Sequence, residues 1–128
     1  MGFDAIGISH VALQCSDPEK SLTFYRDILG LKDYTALGGA PKLNAGNGTF
    51  VEFLQADEGK GGDAGPLKHF SIAVRSVERA MAHLKANGVA ARGPFTLNEN
   101  KPDLPTRVIA FTNGPDGEEI ELVEPVVP

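Results

Sequence analysis

The sequence predicts an α+β fold made of two similar βαβββ modules. The order strand, helix and three further strands occurs twice along the chain, and Gly-rich or Asn-Gly segments separate the strands. A stretch rich in Gly, Asp and Lys, with almost no apolar residues, interrupts the pattern near the middle. We therefore expect module one at about 5–56, a linker at about 57–66 and module two at about 67–125, all within a single domain 1–128.

The composition is that of a soluble globular protein. The chain has 128 residues, of which 41% are apolar and 23% charged. Its net charge of −5, without a basic stripe, argues against nucleic acid as a partner. No apolar run is long enough to span a bilayer, and the first residues do not resemble a signal peptide. Together with a single cysteine, Cys15, which we expect to be buried, this predicts a cytoplasmic protein.

Module one should begin with a strand over residues 5–15. The sequence Ser16-Asp17-Pro18-Glu19 then predicts the start of a helix, because it offers a capping side chain, a first-turn Pro and an early acid. Gly30 should end this helix. Its expected buried stripe is Leu22, Tyr25, Ile28 and Leu29. Three short strands are predicted at 34–37, 42–44 and 49–55.

Module two repeats this order, with a strand expected over 68–74. Ser76 can cap a helix that buries Val77, Ala80, Met81 and Leu84, and Asn87-Gly88 should end it. Strands are predicted near 90–92, 106–112 and 119–123, and Gly114 to Gly117 form a strong turn signal between the last two.

Strand alternation gives each module one His and one Glu on the face away from the helix. His10 and Glu52 are these residues in module one, His69 and Glu121 in module two, and each of the two Glu has apolar neighbours on both sides. The two His are 59 positions apart and the two Glu 69, and the difference fits a longer exposed loop at about 97–105. His83 lies in the middle of a helix, where we expect it at the surface.

Two imidazoles and two carboxylates form a plausible ligand set for one divalent ion. If the modules curve around a shared concavity, the four side chains converge, and nitrogen with oxygen donors suits Ni, Zn, Co or Mn. The alternative for each residue taken singly is an ordinary solvated side chain on a strand. The matching positions in both modules favour the metal site.

The chain resembles the glyoxalase I-like branch of the vicinal oxygen chelate superfamily. The similar segments are ISHVALQCSDPEKSLTFYRDILGL, FVEFL, KHFSIAVRSVERAMAHLKANGV and GPDGEEIELVEP, which together span most of the chain. The resemblance implies paired βαβββ modules that form a cupped mixed sheet. It also implies one metal ion bound by His10, Glu52, His69 and Glu121, and a homodimer. Whether one chain or two complete the site stays open.

A glyoxalase I-like protein would be a lyase or isomerase of the lactoylglutathione lyase type. Such enzymes rearrange the hemithioacetal of an oxoaldehyde and a thiol through an enediolate stabilised by the metal. By resemblance Glu121 is the first choice for the residue that moves the proton, and Glu52 the second.

The substrate contacts depart from the family pattern. Bacterial glyoxalase I enzymes have an Arg for glutathione four residues after the first His, where this chain has Gln14. Gln14 shares the face of His10, and Arg107 or Lys101 could supply positive charge, so these three are the candidate substrate contacts. The sequence leaves the thiol and the natural substrate undetermined.

Two other functions fit the same scaffold. One is another metalloenzyme of the superfamily, an epimerase or a dioxygenase. The other is a non-catalytic protein that binds a small molecule, like the bleomycin-sequestering members, which lack the metal ligands.

Overall fold

The protein consists of two compact units, Met1–Gly62 and Asp63–Pro128. The computed structural model describes residues 3–34, 39–62 and 65–125. Each unit has the order βαβββ and its own four-stranded mixed sheet, which confirms the predicted fold class. The boundary between the units falls inside the linker expected at 57–66. The assignment of both units to one domain stays a prediction.

The sheet of the first unit has the order β1-β4-β3-β2. β1 and β4 are parallel, whereas the other neighbours are antiparallel. The helix α1 passes without a break into a π-helical segment and contacts β4. The bounds are β1 (His10–Cys15), α1 (Pro18–Thr23), the π-helical segment (Phe24–Ile28), β2 (Lys32–Asp33), β3 (Lys42–Gly46) and β4 (Thr49–Gln55).

The start of α1 follows the sequence prediction. Asp17 has extended backbone and its carboxylate accepts hydrogen bonds from the backbone N–H groups of Glu19 and Lys20, at 3.2 and 3.4 Å. Pro18 occupies the first turn, where a missing N–H costs nothing. The helix therefore begins where the capping residues indicated.

The buried stripe of this helix differs in part from the prediction. Tyr25 is fully buried and its ring centroid lies 5.3 Å from that of Phe53. Leu22, Ile28 and Leu29, however, are only half-buried. The π-helical segment explains the shift, because its wider turn, closed by the bond from the Leu29 N–H to the Phe24 carbonyl at 3.1 Å, rotates the following residues away from the α-helical spacing.

The prediction of the first strand was wrong at its start, and most of the second predicted strand lies outside the described residues. β1 begins at His10 instead of residue 5, because Gly7 adopts a φ of +146° that interrupts extended pairing. The preceding apolar side chains Phe3, Ile6 and Ile8 are exposed. β2 lies at Lys32–Asp33, before the predicted strand 34–37, of which residues 35–37 are outside the described residues.

The second unit has the same topology, with the order β5-β8-β7-β6 and a parallel β5–β8 pair. The helix α2 contacts β6, β7 and β8, and the residues on that side of the sheet, such as Ala110, Ile120 and Leu122, are buried. The bounds are β5 (Phe70–Ala73), α2 (Val77–Ala86), β6 (Ala91–Leu97), β7 (Arg107–Asn113) and β8 (Glu119–Val123).

The sequence signals for α2 are confirmed at both ends. The Ser76 hydroxyl accepts a hydrogen bond from the Arg79 N–H at 3.1 Å, and the Val77 N–H donates to Glu124 Oε2 at 2.9 Å. Gly88, with a φ of +73°, follows the C-cap Asn87. No helix in the described ranges has the length and apolarity needed to cross a membrane.

β6 is longer than the predicted strand 90–92. It continues to Leu97 past a register shift between Arg92 and Phe95. Gly93 permits this shift, because it has a φ of +119° and an added Cβ would lie 3.3 Å from the Ala110 Cα and from the Phe95 ring. The exposed loop to β7 consequently spans 98–106, one residue later than predicted.

Candidate metal centre

The parallel β1–β4 pair puts His10 and Glu52 on the same face of the first sheet. Glu52 is paired with Ala12, so His10 lies two residues before the partner of Glu52. Residues two apart in a strand point to the same side. The opposite face carries Val51 and Phe53, which are almost completely buried.

The parallel β5–β8 pair reproduces this relation in the second sheet. Glu121 is paired with Ser71, and His69 lies two residues before Ser71. Ile120 and Leu122, on the opposite face, are buried. In each unit the imidazole therefore lies two residues before the strand partner of the carboxylate.

In the second unit the two side chains are close together. His69 Nε2 lies 3.7 Å from Glu121 Oε2, which is too far for a hydrogen bond. Two ligand bonds of about 2.1 Å at a tetrahedral angle would separate their donor atoms by about 3.4 Å. The Ser71 hydroxyl donates to Glu121 Oε1 at 2.7 Å and so fixes the other carboxylate oxygen. This geometry fits a pair of donors that share one ion.

In the first unit each side chain is fixed by a neighbour. His10 Nδ1 is 3.0 Å from the Ser9 hydroxyl, and its ring stacks on Phe50 with centroids 4.5 Å apart. Glu52 Oε2 forms an ion pair with Lys42 Nζ at 3.2 Å. The Lys42 side chain is only 7% exposed and that of Glu52 20%, so this pair is largely removed from water.

Lys42 is a residue of the site that the sequence reasoning missed. It is the direct cross-strand partner of Glu52, whereas the partner of Glu121 is Phe111. Alternation with the buried Leu43 could have placed Lys42 on the ligand face, but the register that brings it to Glu52 is not readable from one sequence. Both carboxylates thus have one oxygen held by the protein, by Lys42 in one unit and Ser71 in the other.

Each His–Glu pair alone supplies fewer donors than a metal ion normally takes from a protein. Within the described part of either unit, no three His, Cys, Asp or Glu side chains group closely enough to hold a metal. Each unit offers one nitrogen and one carboxylate donor, and two such pairs give the four donors usual for a first-row metal.

The predicted substrate contacts have different surroundings. Gln14 lies on the exposed face of β1 with His10, as expected. Lys101 is exposed in loop 98–106, where its N–H donates to the Asn98 carbonyl at 3.2 Å. Arg107 is half-buried at the start of β7, and its Nε is buried without a hydrogen-bond partner in the described ranges.

Two expectations for residues outside the site are confirmed. Cys15 is buried, with 1% exposure. His83 is exposed in the middle of α2, and its carbonyl accepts a hydrogen bond from the Asn87 side chain at 2.9 Å. Neither residue lies on a ligand-bearing strand face.

A row of aromatic rings starts at the second His–Glu pair, and sequence reasoning did not identify it. The Phe111 centroid lies 5.6 Å from that of His69 and 6.3 Å from that of Phe95. The Arg92 guanidinium lies over the Phe111 ring at 5.8 Å and forms an ion pair with Glu119 at 3.3 Å. The register shift in β6, which no simple alternation pattern reveals, brings Phe95 to this row.

Solved structures share this fold at low sequence identity. An antibiotic-binding protein from a Streptomyces species has 23% identity and a TM-score of 0.73, with 96% of this chain and 98% of the other covered. A glyoxalase-family protein from Enterococcus faecalis has 22% identity and a TM-score of 0.70, covering 93% and 98%. A virulence protein from Salmonella typhimurium has 18% identity and a TM-score of 0.72, covering 95% and 98%.

The family assignment comes from the sequence comparison. No curated protein shows significant similarity to this chain. The family model described as Glyoxalase/Bleomycin resistance protein/Dioxygenase superfamily, however, matches residues 7–122, which include all four candidate ligands. The chain therefore belongs to the glyoxalase/bleomycin resistance protein/dioxygenase superfamily.

Proposed function

We propose that the protein is a metal-dependent lyase or isomerase of the glyoxalase I type, acting on a small oxo substrate such as a hemithioacetal. His10, Glu52, His69 and Glu121 would bind one divalent ion, Ni, Zn, Co or Mn. The observation that carries the proposal is the repeated arrangement, in which each unit has a Glu in a parallel strand pair and a His two residues before the partner of that Glu.

The bound ion would supply positive charge that stabilises negative charge developing on the substrate oxygens. Glu121 is the proposed proton acceptor. Its Oε1 accepts a hydrogen bond from the Ser71 hydroxyl, which is neutral and can rotate away about a single bond when the carboxylate takes a proton. Glu52 Oε2 is held by the ammonium of Lys42, which leaves Oε1 as its ligand atom. Glu52 would thus remain a ligand while Glu121 moves the proton.

Metal analysis of the purified protein tests the ligand set. After equilibration with each ion and removal of free metal, wild-type protein should retain one ion per site. The variants His69→Ala and Glu121→Gln should lose it while keeping the wild-type circular dichroism spectrum. The control His83→Ala should retain it, because His83 lies on α2. Wild-type protein that retains none of the four ions would contradict the proposal.

A mixing experiment determines whether one chain or two complete the site. One double variant, His10→Ala with Glu52→Gln, disables the first unit, and a second, His69→Ala with Glu121→Gln, disables the second. If a site combines units of two chains, mixing the variants restores part of the metal binding. If a site lies within one chain, mixing restores none.

Activity is tested with adducts of several α-oxoaldehydes and thiols, glutathione included. Turnover should require the metal, and Glu121→Gln should lower kcat by at least about a hundredfold, since a positioned acid or base contributes about 10²–10⁴. Absence of turnover with every adduct and metal would contradict the proposed reaction. Oxygen uptake with iron would instead indicate a dioxygenase, and proton exchange on an acyl thioester an epimerase.

The alternative function is the non-catalytic binding of a small molecule. The Lys42–Glu52 ion pair favours it, because it compensates the charge of Glu52 without a metal ion. The Streptomyces structure described as an antibiotic-binding protein shares the fold. Tight binding of an apolar drug by protein that takes up no metal would support this alternative.

A further inference from the structure

We infer that the open face of the second sheet binds an elongated molecule with an aromatic or apolar body and an anionic end. Arg107 would bind the anionic end. The inference names the class of substrate and rests on the proposed function only for the claim that the bound molecule is the substrate. All of its residues belong to the second unit.

The apolar body would lie along a track formed by three neighbouring side chains. Phe111 is adjacent to His69, Phe95 contacts Phe111, and Leu97 follows two residues later on β6. Phe95 is 47% exposed and Leu97 41% exposed, which is high for large apolar side chains in strands. Aromatic faces of this kind stack on ring-containing ligands and contact methylene chains.

Arg107 supplies the charge at the far end of this track. It is the cross-strand partner of Leu97, and alternation along β7 puts it on the same face as Phe111. Its Nε is buried without a hydrogen-bond partner in the described ranges, and no ion pair of Arg107 occurs there. A buried guanidinium N–H without a partner is costly, and a carboxylate is the group that best satisfies it.

The second arginine of this face has a different role. Arg92 already bonds to Asn113 at 2.7 Å and to Glu119 at 3.3 Å, and it lies over the Phe111 ring. Its charge is therefore compensated and it orients the ring. Among the described residues of this face, Arg107 is therefore the cation that can distinguish an anionic ligand from a neutral one.

The strand geometry sets the length of the ligand. Glu121 is paired with Phe111, and Arg107 lies four residues from Phe111 along β7. At about 3.3 Å per residue, the anionic group would lie about 13 Å from the level of the His69–Glu121 pair. A phenylalkanoic acid with a chain of about six carbons has this reach, and so do oxo acids of similar length.

Calorimetric titration of metal-free protein tests the inference separately from the metal proposal. The probes are 6-phenylhexanoate, its neutral amide and 6-phenylhexylamine. Wild-type protein should bind the carboxylate at least about tenfold more tightly than the amide, as expected for a charge-assisted hydrogen bond, and the amine most weakly. Equal affinity for the three probes, or no binding of any of them, would overturn the inference even if the metal site is present.

The variants assign the two ends of the ligand. Arg107→Gln should abolish the preference for the carboxylate over the amide. Arg107→Lys, which is measured in case the glutamine variant does not fold, should keep only part of this preference. Phe95→Ala and Leu97→Ser should lower the affinities for the carboxylate and for the amide by a similar factor. The controls Arg79→Gln on α2 and Ile8→Ser, which are exposed elsewhere, should change nothing. An unchanged preference in both Arg107 variants would overturn the assignment. A concentration-dependent dimer that the probes dissociate would also overturn it, because the track would then be an interface between copies of this chain.

Discussion

Lys42 makes the two ligand pairs chemically different although their register is the same. Glu52 has an ammonium as its cross-strand neighbour, and Glu121 has the Phe111 ring. The Glu52 carboxylate is only 20% exposed and is stabilised by the ammonium. Removal of one member of such a pair is costly because it leaves the other charge buried without a partner.

The variant Lys42→Met should therefore destabilise the metal-free protein by about 1–3 kcal/mol, because the Glu52 carboxylate loses its charged partner. Urea unfolding followed by circular dichroism measures this difference. Addition of a divalent ion that binds Glu52 should recover part of it. The matched control is Lys32→Met, since Lys32 is exposed on β2, and equal stability of the two variants would contradict the role of the ion pair.

Ser71 is expected to act through Glu121. Groups that hydrogen-bond a ligating carboxylate typically change metal affinity by about 10–100-fold when they are removed. Ser71→Ala should weaken metal binding by that factor, and Ser71→Thr, which keeps the hydroxyl, should remain near wild type. Competition with a chromophoric chelator gives the affinities. Indistinguishable affinities for wild type and Ser71→Ala would show that the bond to Glu121 Oε1 does not position the ligand.

Among the elements, α2 depends on its first turn. Its first N–H groups are satisfied by the Ser76 hydroxyl and by the Glu124 carboxylate, which links the start of the helix to the chain after β8. Ser76→Ala should cost about 1 kcal/mol of unfolding free energy, whereas Ser76→Asp should retain most of it. Urea titration distinguishes the two, and equal loss in both would indicate that the side-chain oxygen is not the capping group.

β6 is the element in which one glycine controls a binding surface. A methyl group at Gly93 would meet the Phe95 ring and the Ala110 backbone, and a φ of +119° strains any L side chain. Gly93→Ala should destabilise the protein by about 1–3 kcal/mol and lower its affinity for 6-phenylhexanoate. Gly59→Ala, also at positive φ but with open space around its Cβ, should cost stability without affecting the probe.

At the scale of the whole molecule, a metal ion that binds the folded protein and not the unfolded chain should raise the free energy of unfolding. At a metal concentration one hundred times Kd, the unfolding free energy should increase by about 2.7 kcal/mol. Thermal unfolding with and without chelator measures this, and the gain should vanish in Glu121→Gln. A homodimer remains a prediction, which light scattering checks by comparing the solution mass with the chain mass of 13.5 kDa.

The sequence predicted the architecture well because the informative signals are local. Ser76 and Gly88 mark the ends of α2, and alternation around Glu52 and Glu121 separates the buried face from the ligand face. The errors have non-local or geometric causes. The positive φ of Gly7 shortened β1, and the π-helical segment shifted the buried stripe. Such details depend on backbone conformations that residue patterns do not encode.

The same limit applies to the candidate site. His10, Glu52, His69 and Glu121 could be proposed from sequence because the two His occupy matching places in a repeat and each Glu lies between apolar residues. Lys42, Ser71 and Phe95 gain their roles from pairing across strands, and the pairing register is fixed by the folded sheet. Partners within a site are therefore harder to infer than ligands.

Because β6 lies at the edge of its sheet, substitutions in it can alter the proposed ligand-binding surface without moving the candidate metal ligands. Three of the four residues lie on β1, β4 and β8, and His69 directly precedes β5, so that an insertion of one residue in these strands would turn a ligand towards the helix. β6 ends its sheet and leads into the exposed loop 98–106, so the loop can change length, and the exposed side chains of Phe95 and Leu97 can change, without shifting the register of those pairs. Mutant libraries restricted to β6 and this loop are accordingly the direct route to altered selectivity with an intact ligand set.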